Sequence, residues 1–387
     1  MLRPEFVPYD LELLNPDFGS PLTDLIIDLD YLRRKKLEGS THPKVFFQLK
    51  DIFHLLESLG SARIEGNNTT LAEYIDSKVS NEISKSEKIQ EILNLEEAME
   101  FIEENVTKCP IDRAFISELH KLVVKGLTSP PSGEGDPTPG RYRSVNLEIT
   151  QSLHRPPEHI LVEGYMDELF RFIKNEESSK YDLIKTAISH HRFVWIHPFR
   201  NGNGRTVRLL TYAMLVKQGF NLKIGRIVNP TAIFCSDRDA YNNYLSKADK
   251  GNKDDIFNWC EYVLRGLKLE IEKIDRLCNY GYLKDEILLP AIKLIEKEEK
   301  ISKTEANILI KTVSQQVIQA KDLKDLFRGK ASSEISRQIK RMIEKKLLDN
   351  EEEGKRRYII NLQNSYLYRA IIHFLGEKGF LPVNDKL

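Results

Sequence analysis

Cysteine is scarce in this chain, which has four cysteines among 387 residues. They are scattered and none forms a CxxC pair: Cys109, Cys235, Cys260 and Cys278. This pattern excludes a dense disulfide framework and argues against a cysteine zinc site. We expect four buried, reduced thiols, as in proteins of the cytosol.

Three further absences narrow the class of protein. The 58 basic and 58 acidic residues cancel, so no global field draws the chain to nucleic acid or membrane. The first eight residues contain Arg3 and Glu5 and no apolar run, so no signal peptide is predicted. No stretch approaches the roughly 18 apolar residues of a membrane span. We therefore expect a cytoplasmic protein without a membrane partner, long enough for two or three domains.

Apolar residues recur at helical spacing along most of the chain, which predicts a mainly α protein. Helices are predicted at 21–36, 44–59, 86–105, 111–125, 161–175, 181–195, 204–219, 239–248 and 254–279. The main exception before residue 290 is 142–149, where apolar and polar residues alternate and predict a strand in a hairpin arm. Ser61 is predicted to begin or cap a short turn of helix that ends near Gly66.

Residues 286–387 have a different pattern. Three helices, the last at 332–344, precede a strand, a turn and a strand, an order typical of a winged helix. From Lys300 onward the chain carries 18 Lys and Arg against 11 Asp and Glu. This local basic excess favours DNA binding, whereas the acidic run 351–353 beside the wing favours a protein contact instead.

The glycine-rich segment 197–208 carries the most chemical information. Gly202 and Gly204 let the backbone turn sharply and approach a ligand closely. The loop leads into a helix whose first N–H groups and dipole form an anion site, usually for phosphate. Arg205 and Arg208 lie on one face of that helix and can grip phosphate oxygens. His197 is suited to accept a proton near neutrality, so the set fits phosphoryl or nucleotidyl transfer.

This segment resembles the motif of the Fic family, HxFx(D/E)GNGRxxR. The matching residues are His197, Phe199, Gly202, Asn203, Gly204, Arg205 and Arg208. Seven residues at fixed spacing rarely match by chance, which weighs against the alternative of a plain structural turn. The resemblance covers about residues 45–280 and implies a helical core with one β-hairpin.

The resemblance implies a role for each of these residues. His197 would deprotonate a Ser, Thr or Tyr hydroxyl of a target protein, and AMP would pass from ATP to that oxygen. The backbone at 202–204, with Asn203 and Arg205, would hold the α- and β-phosphates, and Arg208 the γ-phosphate. The segment from Tyr142 resembles the family's flap, which holds the target as an added strand. The implied flap residues are Arg143, Val145 and Leu147, and Tyr241 resembles a residue that contacts adenine.

Asn201 departs from the pattern, because the family usually has Asp or Glu there to bind Mg²⁺. An amide oxygen can coordinate a hard cation, but without the charge it binds more weakly. We therefore expect weakened Mg²⁺ binding at Asn201.

An inhibitory motif precedes the core. Residues 61–67 resemble the family's (S/T)xxxE(G/N) sequence, with Ser61 and Glu65 at its key positions. The resemblance implies that Glu65 pairs with Arg208 and occupies the place of the γ-phosphate. The alternative is a capped surface helix in which Glu65 is merely solvated.

The predicted organisation has three parts: an N-terminal helical region at 1–110 with the inhibitory motif, a Fic catalytic core at 111–280, and a winged-helix-like domain at 286–387. The predicted function is that of an autoinhibited protein adenylyltransferase. Transfer of another nucleotide such as UMP, or removal of AMP from targets, is the alternative within catalysis. A DNA-binding regulator whose core only binds nucleotide is the alternative from another class. The resemblance also implies self-modification and a homodimer, and it leaves the target unnamed.

Overall fold

The computed structural model describes residues 6–34, 41–80, 86–149, 152–175, 177–220, 230–329 and 331–381. Within these ranges the protein is mainly helical, with one two-stranded sheet, so the mainly α prediction is confirmed. Its contacts divide the chain into two compact units. None of the helices in these ranges is both long and apolar enough to cross a membrane.

The first unit comprises 1–36, 54–69 and 84–272. Its helices are α1 (Pro21–Arg34), α2 (Pro43–Ile64) from His54 onward, α4 (Glu87–Asn105), α5 (Arg113–Val123), α6 (Val162–Lys174), α7 (Asp182–Ile196), α8 (Asn203–Lys217), α9 (Thr231–Ser236), α10 (Arg238–Ala248) and α11 (Lys253–Cys278) as far as Glu272. Helices α7 and α8 pack against each other and are buried along nearly their whole length. A helix buried on all sides forms the centre of a domain. The loop that joins these two helices is therefore held from both ends.

The second unit comprises 37–53, 70–83 and 273–387. It contains α3 (Leu71–Ser80), α12 (Tyr280–Tyr282), a π turn at Leu283–Leu288, α13 (Leu289–Lys297), α14 (Lys303–Gln315), a 3₁₀ segment at Ala320–Phe327, α15 (Ser332–Glu344), β1 (Leu348–Asn350), β2 (Tyr358–Ile360) and α16 (Ser365–Glu377). The strands pair antiparallel, with Leu348 opposite Ile360, and Ile318 adds an isolated bridge to Tyr358. Ile335, Ile339 and Met342 form the buried face of α15. Helix 332–344 and the hairpin thus lie where the sequence predicts them.

The strand predicted at 142–149 is not formed, because no strand of the described residues pairs with this segment. Its Arg143 N–H donates instead to the carbonyl of Pro198, near the start of the loop that follows α7. Alternation of apolar and polar residues predicts which side chains face the core. A strand also needs a neighbouring strand to hydrogen-bond with its backbone groups.

Two smaller predictions are also wrong. Ser61 begins no separate helix, because α2 continues past Gly60 to Ile64 on the apolar residues Leu56, Leu59 and Ala62. The four cysteines form no disulfide, but only Cys260 and Cys278 are buried, and Cys109 is exposed in the connection that follows α4.

Candidate active site

The loop between α7 and α8 begins with a strained residue. His197 has the left-handed φ of 52°, which costs a non-glycine residue about 1 kcal/mol or more. Its N–H donates to the Phe193 carbonyl at 3.0 Å. Its own carbonyl accepts from Nε of the buried Arg143 at 2.9 Å. These two bonds hold the His197 backbone in a conformation that is uncommon for residues other than glycine.

Phe199 and Asn203 close the loop internally. The Phe199 N–H donates to Asn203 Oδ1, and Asn203 Nδ2 donates back to the Phe199 carbonyl, both at 2.9 Å. The fully buried Phe199 ring stacks on His120 at 3.7 Å between centroids. The Asn203 side chain therefore fixes the shape of the loop. The N–H groups at the start of α8 can then donate hydrogen bonds to an anion.

Both glycines of the loop meet a definite requirement. Gly202 has φ 74°, and a Cβ there would lie 3.1 Å from Val124. At Gly204 a Cβ would collide with Oε1 of Glu65. The loop thus needs Gly202 for its turn and Gly204 for the close approach of a carboxylate.

Arg208 is held by the inhibitory segment. Its Nε donates to Ser61 Oγ at 2.8 Å, and its Nη2 donates to the Ser61 carbonyl at 2.9 Å and to Glu65 Oε1 at 2.7 Å. Burial opposes ionisation of Glu65, but Arg208 and Arg205 hold the pKa of this carboxyl below its usual range. A charged carboxylate is therefore bound to the guanidinium that a phosphate would need.

Arg205 has a different set of partners. Nη1 donates to Oε1 of Glu91 at 2.7 Å, in a pair only 1% and 3% exposed. Nη2 donates to the Glu134 carbonyl at 2.8 Å. Nε is buried and has no hydrogen-bond partner among the described residues. An unsatisfied buried N–H is costly, and one on an arginine beside a helix N-terminus suits a phosphate oxygen.

His197 is neutral near pH 7. Burial lowers its pKa to about 4. Its Nδ1 lies 3.4 Å from the Val194 carbonyl. A hydrogen on Nδ1 points to that carbonyl and leaves Nε2 as the proton acceptor.

The surroundings of Asn201 do not form a fitting Mg²⁺ site. Its Oδ1 already accepts from the Gly202 N–H at 2.8 Å. Its Nδ2 donates to Glu134 Oε2 and to the Gly135 carbonyl, both at 3.3 Å. The described part of the chain also holds no group of three or more metal-ligating His, Cys, Asp or Glu side chains. Weakened Mg²⁺ binding at Asn201 stays a prediction, and it is consistent with the hydrogen bond that the side-chain oxygen already accepts.

Tyr241 lies near Arg208. It is 4% exposed, and its hydroxyl forms a 2.9 Å hydrogen bond with Nε2 of His190. Burial raises the pKa of Tyr241 above its usual range, and Arg208 opposes this shift. The flap residues divide into two groups: Arg143 is buried, whereas Val145 is exposed and Leu147 half-buried.

Sequence reasoning missed three residues that shape the site: Glu91, His120 and Asp136. The Asp136 carboxylate accepts from the N–H groups of Arg200 and Asn201, both at 3.0 Å. His120 lies beneath the loop, with Nε2 3.0 Å from the Asn201 carbonyl. Asp136 belongs to a loop rich in Pro and Gly without periodicity, and Glu91 looks like one of many acidic residues on α4. The sequence signal that could have identified Glu91 is a charged residue among the buried positions of a helix.

Comparison with known proteins agrees with this geometry. Residues 110–215, which include the whole loop, match the model of the Fic/DOC family. The chain therefore contains a Fic/DOC domain.

The relatives with curated names point the same way. The protein adenylyltransferase Fic of Nematostella vectensis is 30% identical over 214 residues, 53% of this chain and 45% of that protein. That of Drosophila yakuba is 30% identical over 226 residues, 57% of this chain and 39% of that protein. The chain thus matches less than half the length of these relatives.

Solved structures show the same fold. A Fic family protein from Desulfovibrio desulfuricans G20 aligns over 92% of this chain and 98% of its own, with a TM-score of 0.55 and 18% identity. Fic-1 from C. elegans aligns over 65% of this chain and 71% of its own, with a TM-score of 0.52 and 21% identity. At these identities the likeness concerns the fold, and it confirms the Fic helical core.

Proposed function

We propose that this chain is a protein adenylyltransferase that transfers AMP from ATP to Ser, Thr or Tyr hydroxyls of target proteins and is restrained by Glu65. The observation that carries the proposal is the loop 197–208, where a neutral histidine precedes a helix N-terminus and two buried arginines. The relatives named protein adenylyltransferase Fic support the nucleotide and the reaction.

The proposed reaction is an in-line displacement at phosphorus. The target oxygen bonds to the α-phosphorus, the bond from that phosphorus to the bridging oxygen breaks, and pyrophosphate leaves. The hydroxyl proton passes to Nε2 of His197. The N–H groups at the start of α8 and Nε of Arg205 stabilise the α- and β-phosphates. Arg208 holds the γ-phosphate once Glu65 has moved away. ATP in the cell carries Mg²⁺ with it, which would supply further charge neutralisation at the phosphates.

The flap is proposed as the docking edge for the target. Residues 142–149 form neither a helix nor a strand, and Val145 is 39% exposed. An extended target segment could pair with backbone groups of this segment, as in β-strand addition.

The C-terminal unit is proposed to contain a winged helix formed by α14, α15 and the hairpin. Some of its cations have local carboxylate partners: Arg337 pairs with Glu334 at 2.9 Å, and Lys355 pairs with Glu352. Paired cations offer less charge to a phosphate backbone, which favours a protein contact, including a second copy of the chain, over DNA.

Incubation with labelled ATP tests the proposed activity. We expect label from the α-phosphate, and none from the γ-phosphate, to become bound covalently to protein in the Glu65→Gly variant. His197→Ala in that background should abolish the label, because no base then accepts the proton. Label from UTP instead would identify transfer of UMP, release of AMP from a modified target would identify the reverse activity, and specific DNA retention without any label would support the regulator.

A further inference from the structure

Glu91 contacts two parts of the candidate site with one carboxylate. Oε1 accepts from Arg205 Nη1, and Oε2 accepts from Asn67 Nδ2, both at 2.7 Å. The residue is 3% exposed, so neither oxygen can exchange its partner for bulk water. The buried Glu91 carboxylate therefore connects Arg205 to Asn67, with one oxygen bound to each.

Asn67 belongs to the turn that carries Glu65. Its N–H donates to the Ala62 carbonyl at 3.1 Å, which ties it to the last turn of α2. Its Oδ1 accepts from the Thr69 N–H at 2.9 Å, and its Nδ2 also donates to the Lys88 carbonyl at 2.8 Å. The amide is thus fixed within the turn, and it moves only if the turn moves.

Arg205 depends on Glu91 for its orientation. Glu91 holds Nη1 and the Glu134 carbonyl holds Nη2, whereas Nε has no partner among the residues that the structure describes. Two fixed ends of a planar guanidinium determine where its third donor points. Loss of the Glu91 contact would free this plane to rotate away from an incoming phosphate.

We propose that Glu91 is a positioning residue for Arg205 and that, through Asn67, it couples the turn after Glu65 to this phosphate-binding arginine. The inference rests on the proposed ATP binding. Displacement of the whole turn would remove Glu65 from Arg208 but would also weaken the contact that positions Arg205. Productive relief of inhibition therefore moves the Glu65 side chain and leaves Asn67 in place.

Titration of ATP into the full-length chain tests the coupling without any need for catalysis. In a Glu65→Gly background, we expect Glu91→Gln to weaken ATP binding about tenfold, because the amide has no charge to hold Arg205 and only one oxygen to accept from Arg205 and Asn67. Asn67→Ala, which leaves Glu91 and Arg205 intact, should weaken binding about threefold. Since both act through one carboxylate, the double variant should bind as Glu91→Gln alone does.

Asn68→Ala is the matched control. Asn68 is the next residue of the turn and accepts from Lys88 Nζ at 2.5 Å, but it has no contact with Glu91. This variant should leave the affinity for ATP unchanged. A purely structural role of Glu91 would lower the number of binding sites per chain and leave the affinity of the remaining sites unaltered.

The outcomes separate the two proposals. Equal ATP affinity with and without Glu91→Gln, or additive effects of Glu91→Gln and Asn67→Ala, would overturn the coupling. If Glu91→Gln does not fold, Asn67→Ala decides the question by the same measurement, and unchanged affinity overturns the coupling. ATP binding without covalent label in Glu65→Gly would contradict only the transferase, and no ATP binding at all would contradict both.

Discussion

The Glu65 carboxylate accepts a 2.7 Å hydrogen bond from the Arg208 guanidinium, and Ser61 Oγ accepts one from Nε of the same arginine. A phosphate can use this arginine only after the carboxylate leaves. The side chain of Glu65 is 31% exposed, whereas that of Arg208 is 2% exposed, so the acid is the partner with room to move.

Removal of Glu65 should therefore raise the proposed transferase activity. We expect Glu65→Gly to raise self-labelling from ATP by at least about tenfold, since one hydrogen bond to a charged group no longer competes with the γ-phosphate. Glu65→Gln keeps the volume without the charge and should give an intermediate rate. Equal rates for the wild type and both variants, at unchanged melting temperatures, would contradict the inhibitory role.

His197 should give the proposed reaction an unusual acid limit. Because burial lowers its pKa to about 4, the base form predominates down to that pH. Self-labelling by Glu65→Gly should stay nearly constant from pH 8 to about pH 5.5, where a histidine of ordinary pKa near 6.5 would already be mostly protonated. A decline centred at about pH 6.5, in protein that remains folded, would assign His197 an ordinary pKa.

Much of this fold and site could be predicted from the sequence. Strong periodicity located helices such as 332–344, and the fixed spacing of the loop motif identified His197 and Arg208. The short helix α3 and the strandless flap escaped prediction, because both depend on contacts with distant parts of the chain. Glu91 and Asp136 escaped for the same reason, since a buried carboxylate acquires its meaning only from the donor that tertiary folding brings to it.

Arg143 should prove structural rather than target-facing. Its guanidinium donates to the carbonyls of Val145 and His197 at 3.0 and 2.9 Å, and burial lowers its pKa to about 10. We expect Arg143→Lys, which loses the planar fork, to destabilise the protein by about 2 kcal/mol and to lower labelling. Arg141→Lys, the same change at an exposed neighbour, should leave the melting temperature unaltered. Equal melting temperatures for the two variants would show that the fork is dispensable.

Glu57 should make stability depend on pH. Burial raises its pKa from 4.5 to about 8, and both its oxygens accept from the Thr231 N–H. The folded state thus holds a proton that the unfolded state releases above about pH 4.5, so this contribution to stability falls as pH rises from 4.5 to 8. Glu57→Gln removes the proton uptake. Relative to wild type, the variant should gain more than about 1 kcal/mol between pH 5 and pH 8, about one pKa unit. A pH-independent difference in unfolding free energy between the two would show that Glu57 is ionised in the folded protein.

Asn201→Asp should create a Mg²⁺ response that the wild type lacks. The new carboxylate would lie close to Glu134, whose Oε2 is 3.3 Å from Asn201 Nδ2, and two adjacent carboxylates repel each other without a cation. We expect the melting temperature of Asn201→Asp to be below that of the wild type in chelator and to recover with Mg²⁺, while the wild type changes little. Adding Glu134→Gln relieves the repulsion and removes one ligand, so it should raise the melting temperature in chelator and reduce the recovery. The same Mg²⁺ response in wild type and Asn201→Asp would mean that the residue at 201 does not determine metal affinity, and that the amide already serves as well as the acid it replaces.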